Sequence, residues 1–284
     1  MGVTLTDYLM YILIAMAIVG SIISVLVITN KQKKKYFIHH GEIDVAKGLF
    51  IGDREFQEDA IEIVDLDKGT MVAVADGRGK NKAGSLSSTL AVQTLGDLFA
   101  EKDATYNMNY FFKRSFFIIN REILKLLGDL DGGASVTCCI VEGRWLHYAV
   151  VGNTSIALYR NHELIPLSEG HTVSVLARKG YYTGKISKQH ALWALKEKRI
   201  LNYVGQDGFK DIEIYDAPIQ LKPKDYIVLM SDGITNSIAW HTLEDVLKQH
   251  LSADEMVQEI QGLYESLGQH NKDNGSIIIM KYKG

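Results

Sequence analysis

Seven short stretches of the chain, residues 60–64, 70–75, 135–141, 145–151, 155–159, 226–230 and 276–282, are apolar throughout or alternate apolar with polar residues. That pattern predicts β-strands, because successive side chains in a strand point to opposite faces. Between them, apolar residues recur every three or four positions at about 83–100, 106–127, 242–249 and 253–267. This is the spacing of a helix that buries one stripe. Ser252 stands where the last of these helices needs a cap. The stretch 171–224 is less regular, with a helical patch at 188–198. Strands in hairpin-like succession with helices bunched in pairs argue for a layered α+β sandwich. Regular βαβ alternation is missing, which counts against a doubly wound parallel sheet.

One segment follows neither period. Residues 8–30 carry no charge and are mostly Ile, Leu, Val, Met and Ala. As a helix such a run extends about 34 Å, enough to cross a bilayer core. A cleaved signal peptide would begin with basic residues, whereas this chain begins Met-Gly-Val-Thr-Leu-Thr-Asp. Lys31, Lys33, Lys34 and Lys35 follow the run directly, and the positive-inside rule then places the rest of the chain in the cytosol. The expected organisation is a single-pass membrane anchor at 1–30, a polar juxtamembrane linker at 31–45 and one domain at 46–284.

Composition narrows the function classes. The chain has 284 residues, 46% of them hydrophobic, as expected of a folded domain rather than a disordered one. A net charge of −3 gives no general pull toward nucleic acid. The two cysteines, Cys138 and Cys139, are adjacent within an apolar run. In a strand they face opposite ways, which suits two buried thiols in a reducing compartment better than a disulfide, a metal pair or a nucleophile. No Cys/His spacing suggests zinc.

The candidate chemistry lies in acids at the ends of the strand-like runs: Asp59, Asp76, Asp232 and Asp273. Hard divalent cations take oxygen ligands, and a few carboxylates suffice for Mg²⁺ or Mn²⁺. Asp76 precedes Gly77-Arg78-Gly79-Lys80-Asn81-Lys82, where glycine lets backbone approach a ligand closely. A nucleotide loop is the rival reading. The segment lacks the Ser/Thr of a P-loop, and Lys82 replaces the third glycine of a dinucleotide fingerprint. Taken singly, Asp76-Gly77 and Asp232-Gly233 are also ordinary turn dipeptides.

In order along the chain stand Arg54-x-x-x-Glu58-Asp59, Val-Ala-Asp76-Gly77-x-Gly79, Val151-Gly-Asn-Thr-Ser155, Leu167-Ser-Glu-Gly-His-Thr172, Leu229-Met-Ser-Asp232-Gly233 and Asp273-Asn274. This series resembles the metal-dependent, type 2C serine/threonine protein phosphatases from about residue 42 to 282. The resemblance implies a four-layer α-β-β-α sandwich: two antiparallel sheets flanked by helices, with a two-metal site at one edge. It implies Asp59, Asp76, Asp232 and Asp273 as carboxylate ligands of two Mn²⁺ or Mg²⁺ ions, with Gly77 giving its carbonyl. Glu58 would hold metal-bound water, Asn274 would support the ligands, and Arg54 would grip the substrate phosphate. The expected function is hydrolysis of phosphoserine and phosphothreonine in proteins by activated water, with a cognate serine/threonine kinase as counterpart. The chain departs from the family at Gly152-Asn153, where an aspartate linked to a third, weaker metal is usual, at Gly79-Lys80 and at Gly170. A neutral amide at 153 removes a charge and should weaken that third cation. These departures motivate the alternative of a weak or inactive pseudophosphatase that binds phosphoproteins. His171 reads as a hydrogen-bonding loop residue rather than a general acid.

Overall fold

The computed structural model describes residues 43–101, 107–197, 199–249, 251–268 and 270–284. The expected anchor at 1–30, and the linker as far as residue 42, lie outside these. Among the described residues no helix is long and apolar enough to cross a membrane.

The strands are β1 (Ile43–Phe50), β2 (Asp59–Leu66), β3 (Gly69–Gly79), β4 (Gly132–Glu142), β5 (Trp145–Val151), β6 (Ser155–Arg160), β7 (Glu163–Pro166), β8 (Glu213–Ile214), β9 (Ile219–Gln220), β10 (Tyr226–Met230) and β11 (Gly275–Tyr282). They form two antiparallel sheets. One runs in the order β1-β11-β10-β6-β7, the other β2-β3-β4-β5-β8, with β9 pairing with β5. The helices are α1 (Ala83–Ala100), α2 (Met108–Leu127), α3 (Val173–Tyr182), α4 (Lys188–Ala194), α5 (Asp232–Ser237), α6 (Trp240–Leu247) and α7 (Ala253–Ser266).

Alternation along each strand divides its side chains between layers. On β3, Met71, Ala73 and Ala75 join the core under α1 and α2. Val72 and Val74 join the core between the sheets. A third core lies between the β1-β11-β10 sheet and helices α5 to α7. The result is helix, sheet, sheet, helix, with each apolar face covered. Cys138 and Cys139 follow the same rule: the first packs toward the helices and the second between the sheets, its Sγ 3.8 Å from Met280 Sδ. Both are free thiols whose pKa burial pushes up.

Helix α2 shows how its sequence dictates its place. Phe112, Phe116, Ile119, Ile123 and Leu127 recur every three or four residues and are buried. Each such side chain removed from water contributes about 1.5–3 kcal/mol. Asn107 caps the helix by accepting from Tyr110 N. Helix α7 starts with a full capping box of Ser252 and Glu255. Helix α1 instead lies close on the sheet through small residues, Gly84, Ser87, Ser88 and Ala91.

Two features differ from the expectations, and a third settles a choice that the sequence left open. β1 begins at Ile43, so the last three positions of the expected linker are strand; only Ile43 and Val45 mark them, after a polar lead. Residues 173–182, read as irregular, form α3, which buries only Ala177 and so has no apolar stripe to recognise. Asp232-Gly233 opens the short helix α5 instead of a turn.

An ion pair with a buried carboxylate joins β6 to the residue that precedes β10. Arg160 on β6 donates from Nε to Asp225 Oδ1 at 3.0 Å and from Nη2 to Asp225 Oδ2 at 2.6 Å. Asp225 is 2% exposed and also accepts from Lys222 N at 2.7 Å. Removing one partner of a buried pair leaves an uncompensated charge, at about 3–5 kcal/mol. Arg160→Met is therefore expected to destabilise the domain by about that amount in urea unfolding. Adding Asp225→Asn should recover part of the loss, and an additive double variant would contradict the pairing.

Candidate metal centre

Asp59 and Asp76 face each other in register where β2 begins and β3 nears its end. On the other sheet, β10 ends at Met230 and delivers Asp232 as the first residue of α5. Asp273 lies two residues before β11. Ser231 N donates to Ser276 O at 3.0 Å and Ser276 N to Ser231 Oγ at 2.9 Å, tying the end of β10 to the start of β11. Asn274 joins the sheets: Oδ1 accepts from Glu58 N and Nδ2 donates to Ile51 O, each at 2.8 Å. Gly77 N then donates to Glu58 O at 3.1 Å. A β-carbon on Gly77 would lie 2.2 Å from Gly84 O, and one on Gly84 would lie 2.6 Å from Glu58 Oε1. The start of α1 thus rests directly on β3 beside these acids, which only glycine allows.

The acids raise one another's pKa. Burial pushes Asp59 up to about 7, the charges of Asp232 and Asp273 add to the rise, and the Ser231 and Ser276 hydroxyls pull the other way. Asp59 is 6% exposed, and its Oδ2 has no hydrogen-bond partner. A buried carboxylate oxygen without a donor is costly unless a cation meets it. Burial also lifts Asp76 well above the carboxylate range, followed by the charges of Asp59 and Asp232. Glu58 is raised by burial, with Arg54 opposing.

Two of the four acids are also held by partners that are not acids. Arg54 donates from Nε and Nη2 to the two oxygens of Asp273, each at 2.9 Å, and this pair is half-exposed. Asp232 Oδ2 accepts from Asn153 Nδ2 at 2.7 Å, while Asn153 Oδ1 accepts from Ser135 Oγ at 2.7 Å. Among the described residues no three His, Cys, Asp or Glu side chains stand at ligand spacing around one point. The acids are therefore neighbours in an incompletely gathered set. An all-oxygen donor set with one orphaned buried oxygen nevertheless fits a hard divalent cation.

The departures from the family pattern acquire local reasons. Asn153 gives Asp232 a donor, which an ionised aspartate cannot supply. Gly170 has φ +78°, and a β-carbon there would lie 2.9 Å from Gly152 O. His171 Nδ1 accepts from Gly152 N at 3.1 Å, and its backbone N donates to Gly152 O at 2.7 Å. Burial lowers its pKa while Glu213 and Asp211 oppose. It is a neutral loop-binding residue, though with carboxylates nearby that the sequence did not disclose. Also undisclosed were Ser231, Ser276 and Tyr264, whose hydroxyl donates to Asp273 O. Their only signal is position: two adjoin Asp232 and Gly275, and the third lies on a helix nine residues before Asp273.

A family model described as Protein phosphatase 2C matches residues 51–268. Serine/threonine phosphatase stp of Listeria monocytogenes serovar 1/2a is 28% identical over 222 residues, 76% of this chain and 85% of the relative. A solved serine/threonine phosphatase of S. agalactiae superposes with a TM-score of 0.75 at 23% identity, covering 85% of this chain and all of that one. The solved catalytic domain of serine threonine protein phosphatase PstP, in complex with two manganese ions, gives 0.65 at 19% identity, with coverage of 85% and 100%.

The mutual repulsion of these acids sets an expectation for stability. In metal-stripped protein Asp76→Asn removes a carboxyl that folding must bury and protonate beside Asp59 and Asp232, and should raise Tm by about 2–4 °C. The same variant should gain less than the native sequence when Mn²⁺ is added. Thermal unfolding with and without chelator checks both, and a lower Tm in chelator would contradict the crowding.

Proposed function

From the premise that this chain belongs to the protein phosphatase 2C family, we propose that it removes phosphate from phosphoserine and phosphothreonine through two divalent cations, while tethered to a membrane. The chain is a serine/threonine protein phosphatase, a hydrolase. The observation that supports the mechanism is the buried Asp59 oxygen left without a hydrogen-bond partner, on a residue whose carboxyl and that of Asp76 feel the charges of Asp232 and Asp273. Asp59, Asp76, Asp232 and Asp273 would hold the ions, with the Gly77 carbonyl as a further ligand. Two Mn²⁺ or Mg²⁺ ions, when bound, acidify water and offset charge on the phosphoryl group.

The chain's own groups do the rest. Arg54 presents a planar fork that matches two phosphate oxygens. Its present partner, Asp273, is half-exposed, and such pairs contribute about 0–1 kcal/mol, so a dianionic phosphate displaces it readily. Glu58, whose carboxylate feels both Arg54 and Asp273, would accept a hydrogen bond from the attacking water. The water oxygen bonds to phosphorus, the seryl or threonyl oxygen leaves and takes up a proton, and no phosphoenzyme forms. Asn153 holds Asp232 in place and, being neutral, adds no ligand charge for a third ion.

The membrane part rests on residues 8–30 and the lysines after them. On this reading the catalytic domain lies in the cytoplasm, and a serine/threonine kinase there would supply its substrates.

Residues 38–284 carry all three cores and form the unit to assay. It should release phosphate from phosphoserine and phosphothreonine peptides only with Mn²⁺ or Mg²⁺. Asp76→Ala or Asp232→Ala should lower kcat about 1,000-fold, and full activity in either would refute the mechanism. Arg54→Lys should raise KM for phosphopeptide roughly tenfold, since ammonium lacks the fork. The full chain should stay in the membrane pellet through an alkaline carbonate wash. Its release into the supernatant would sink the tether without touching the catalytic reading.

A further inference from the structure

The hairpin of α3 and α4 is built unlike the rest of the domain. Its helices have 10 and 7 residues, lengths at which a helix in water has little stability of its own. They bury only Ala177 and Ala191. The hairpin instead exposes Tyr182 (80%), Trp193 (70%), Leu192, Leu195 and Tyr181. With Leu176, six of the 17 large apolar side chains left exposed among the described residues fall within this segment. A concentration of that kind marks a surface that is covered in use, in contrast to apolar residues scattered singly.

Charge says what covers it. Residues 173–199 contain Arg178, Lys179, Lys185, Lys188, Lys196, Lys198 and Arg199 against the single acid Glu197, in a chain whose net charge is −3. Arg178 and Lys179 reach Glu169. Lys185, Lys188, Lys196 and Arg199 are exposed. Exposed Trp, Tyr and Leu interspersed with exposed lysines along one hairpin match the boundary between lipid headgroups and acyl chains. Aromatic side chains settle at that boundary and lysines reach anionic headgroups along their own stems. A second copy of the chain fits poorly, because a self-complementary contact would set Lys185, Lys188, Lys196 and Arg199 against their own counterparts. A phosphopeptide would answer the charge but leave Trp193, Leu192 and Leu195 in water.

We propose that the α3–α4 hairpin is a membrane-contact element that seats Tyr182 and Trp193 in an anionic lipid surface. It acts independently of the N-terminal run and of the metal centre. Contact would fix how the domain lies on the bilayer, and so which substrates reach it.

Residues 38–284 are tested by co-sedimentation with vesicles of phosphatidylcholine alone or mixed with phosphatidylglycerol. The protein should pellet with the anionic vesicles only, and less so as salt is raised. Tyr182→Ser with Trp193→Ser should weaken the partition roughly tenfold, and Lys185→Gln or Lys188→Gln about fivefold each. Turnover of para-nitrophenyl phosphate should stay unchanged in all these variants, which shows them folded. Absence of vesicle binding, equal binding to neutral vesicles, or binding indifferent to these residues overturns the proposal. So does a variant set that leaves lipid binding intact but raises KM for phosphopeptide or splits a dimer, which would assign the surface to substrate or to a second copy.

Discussion

Repulsion among carboxylates that packing will not let part is the constraint on which this structure turns. Asp59 and Asp76 are locked opposite each other by the β2–β3 register. Asp232 and Asp273 are carried to the same edge by β10 and β11 of the other sheet. The core between the sheets, built from residues such as Val72, Val74, Ile278 and Met280, holds that edge together. The layered core confines carboxyl groups that would repel one another when ionised, and on the proposed reading that makes the edge a place for cations.

Around the acids, neutral and cationic groups divide the task of holding them. Asn274 bonds to the segments on either side of it, so the loop carrying Arg54 and Glu58 is pinned to the loop carrying Asp273. Arg54 and Asp273 form a solvent-exposed pair, easily exchanged, whereas Asn153 and Asp232 are joined inside a short chain that ends at Ser135. The first contact is suited to releasing its arginine to an incoming anion. The second is suited to staying. Glycine matters at two places: Gly77 against Gly84, where backbone meets backbone, and Gly170 with its positive φ beside Gly152.

Much of this was legible from the chain. Strands with buried alternation, such as β3, β4 and β11, declare themselves because both faces are apolar. Helices with one buried stripe, such as α2 and α7, do so by their three-and-four spacing. What was illegible has a physical cause in each case. β1 has only Ile43 and Val45 to mark its start, and α3 hides nothing but an alanine. The acids could be named from their place at strand ends and from the family resemblance. The Asn153–Asp232 contact spans 79 positions and depends on a side-chain orientation that no local pattern encodes. The Asp59–Asp76 register needs the β2–β3 pairing before it can be seen.

Crystals of residues 38–284 grown with Mn²⁺ and measured at the manganese absorption edge test the central claim most directly. Two anomalous peaks enclosed by Asp59, Asp76, Asp232 and Asp273, with Asp59 Oδ2 touching one of them, are the expected result. Manganese bound elsewhere, or none at that edge, would contradict it.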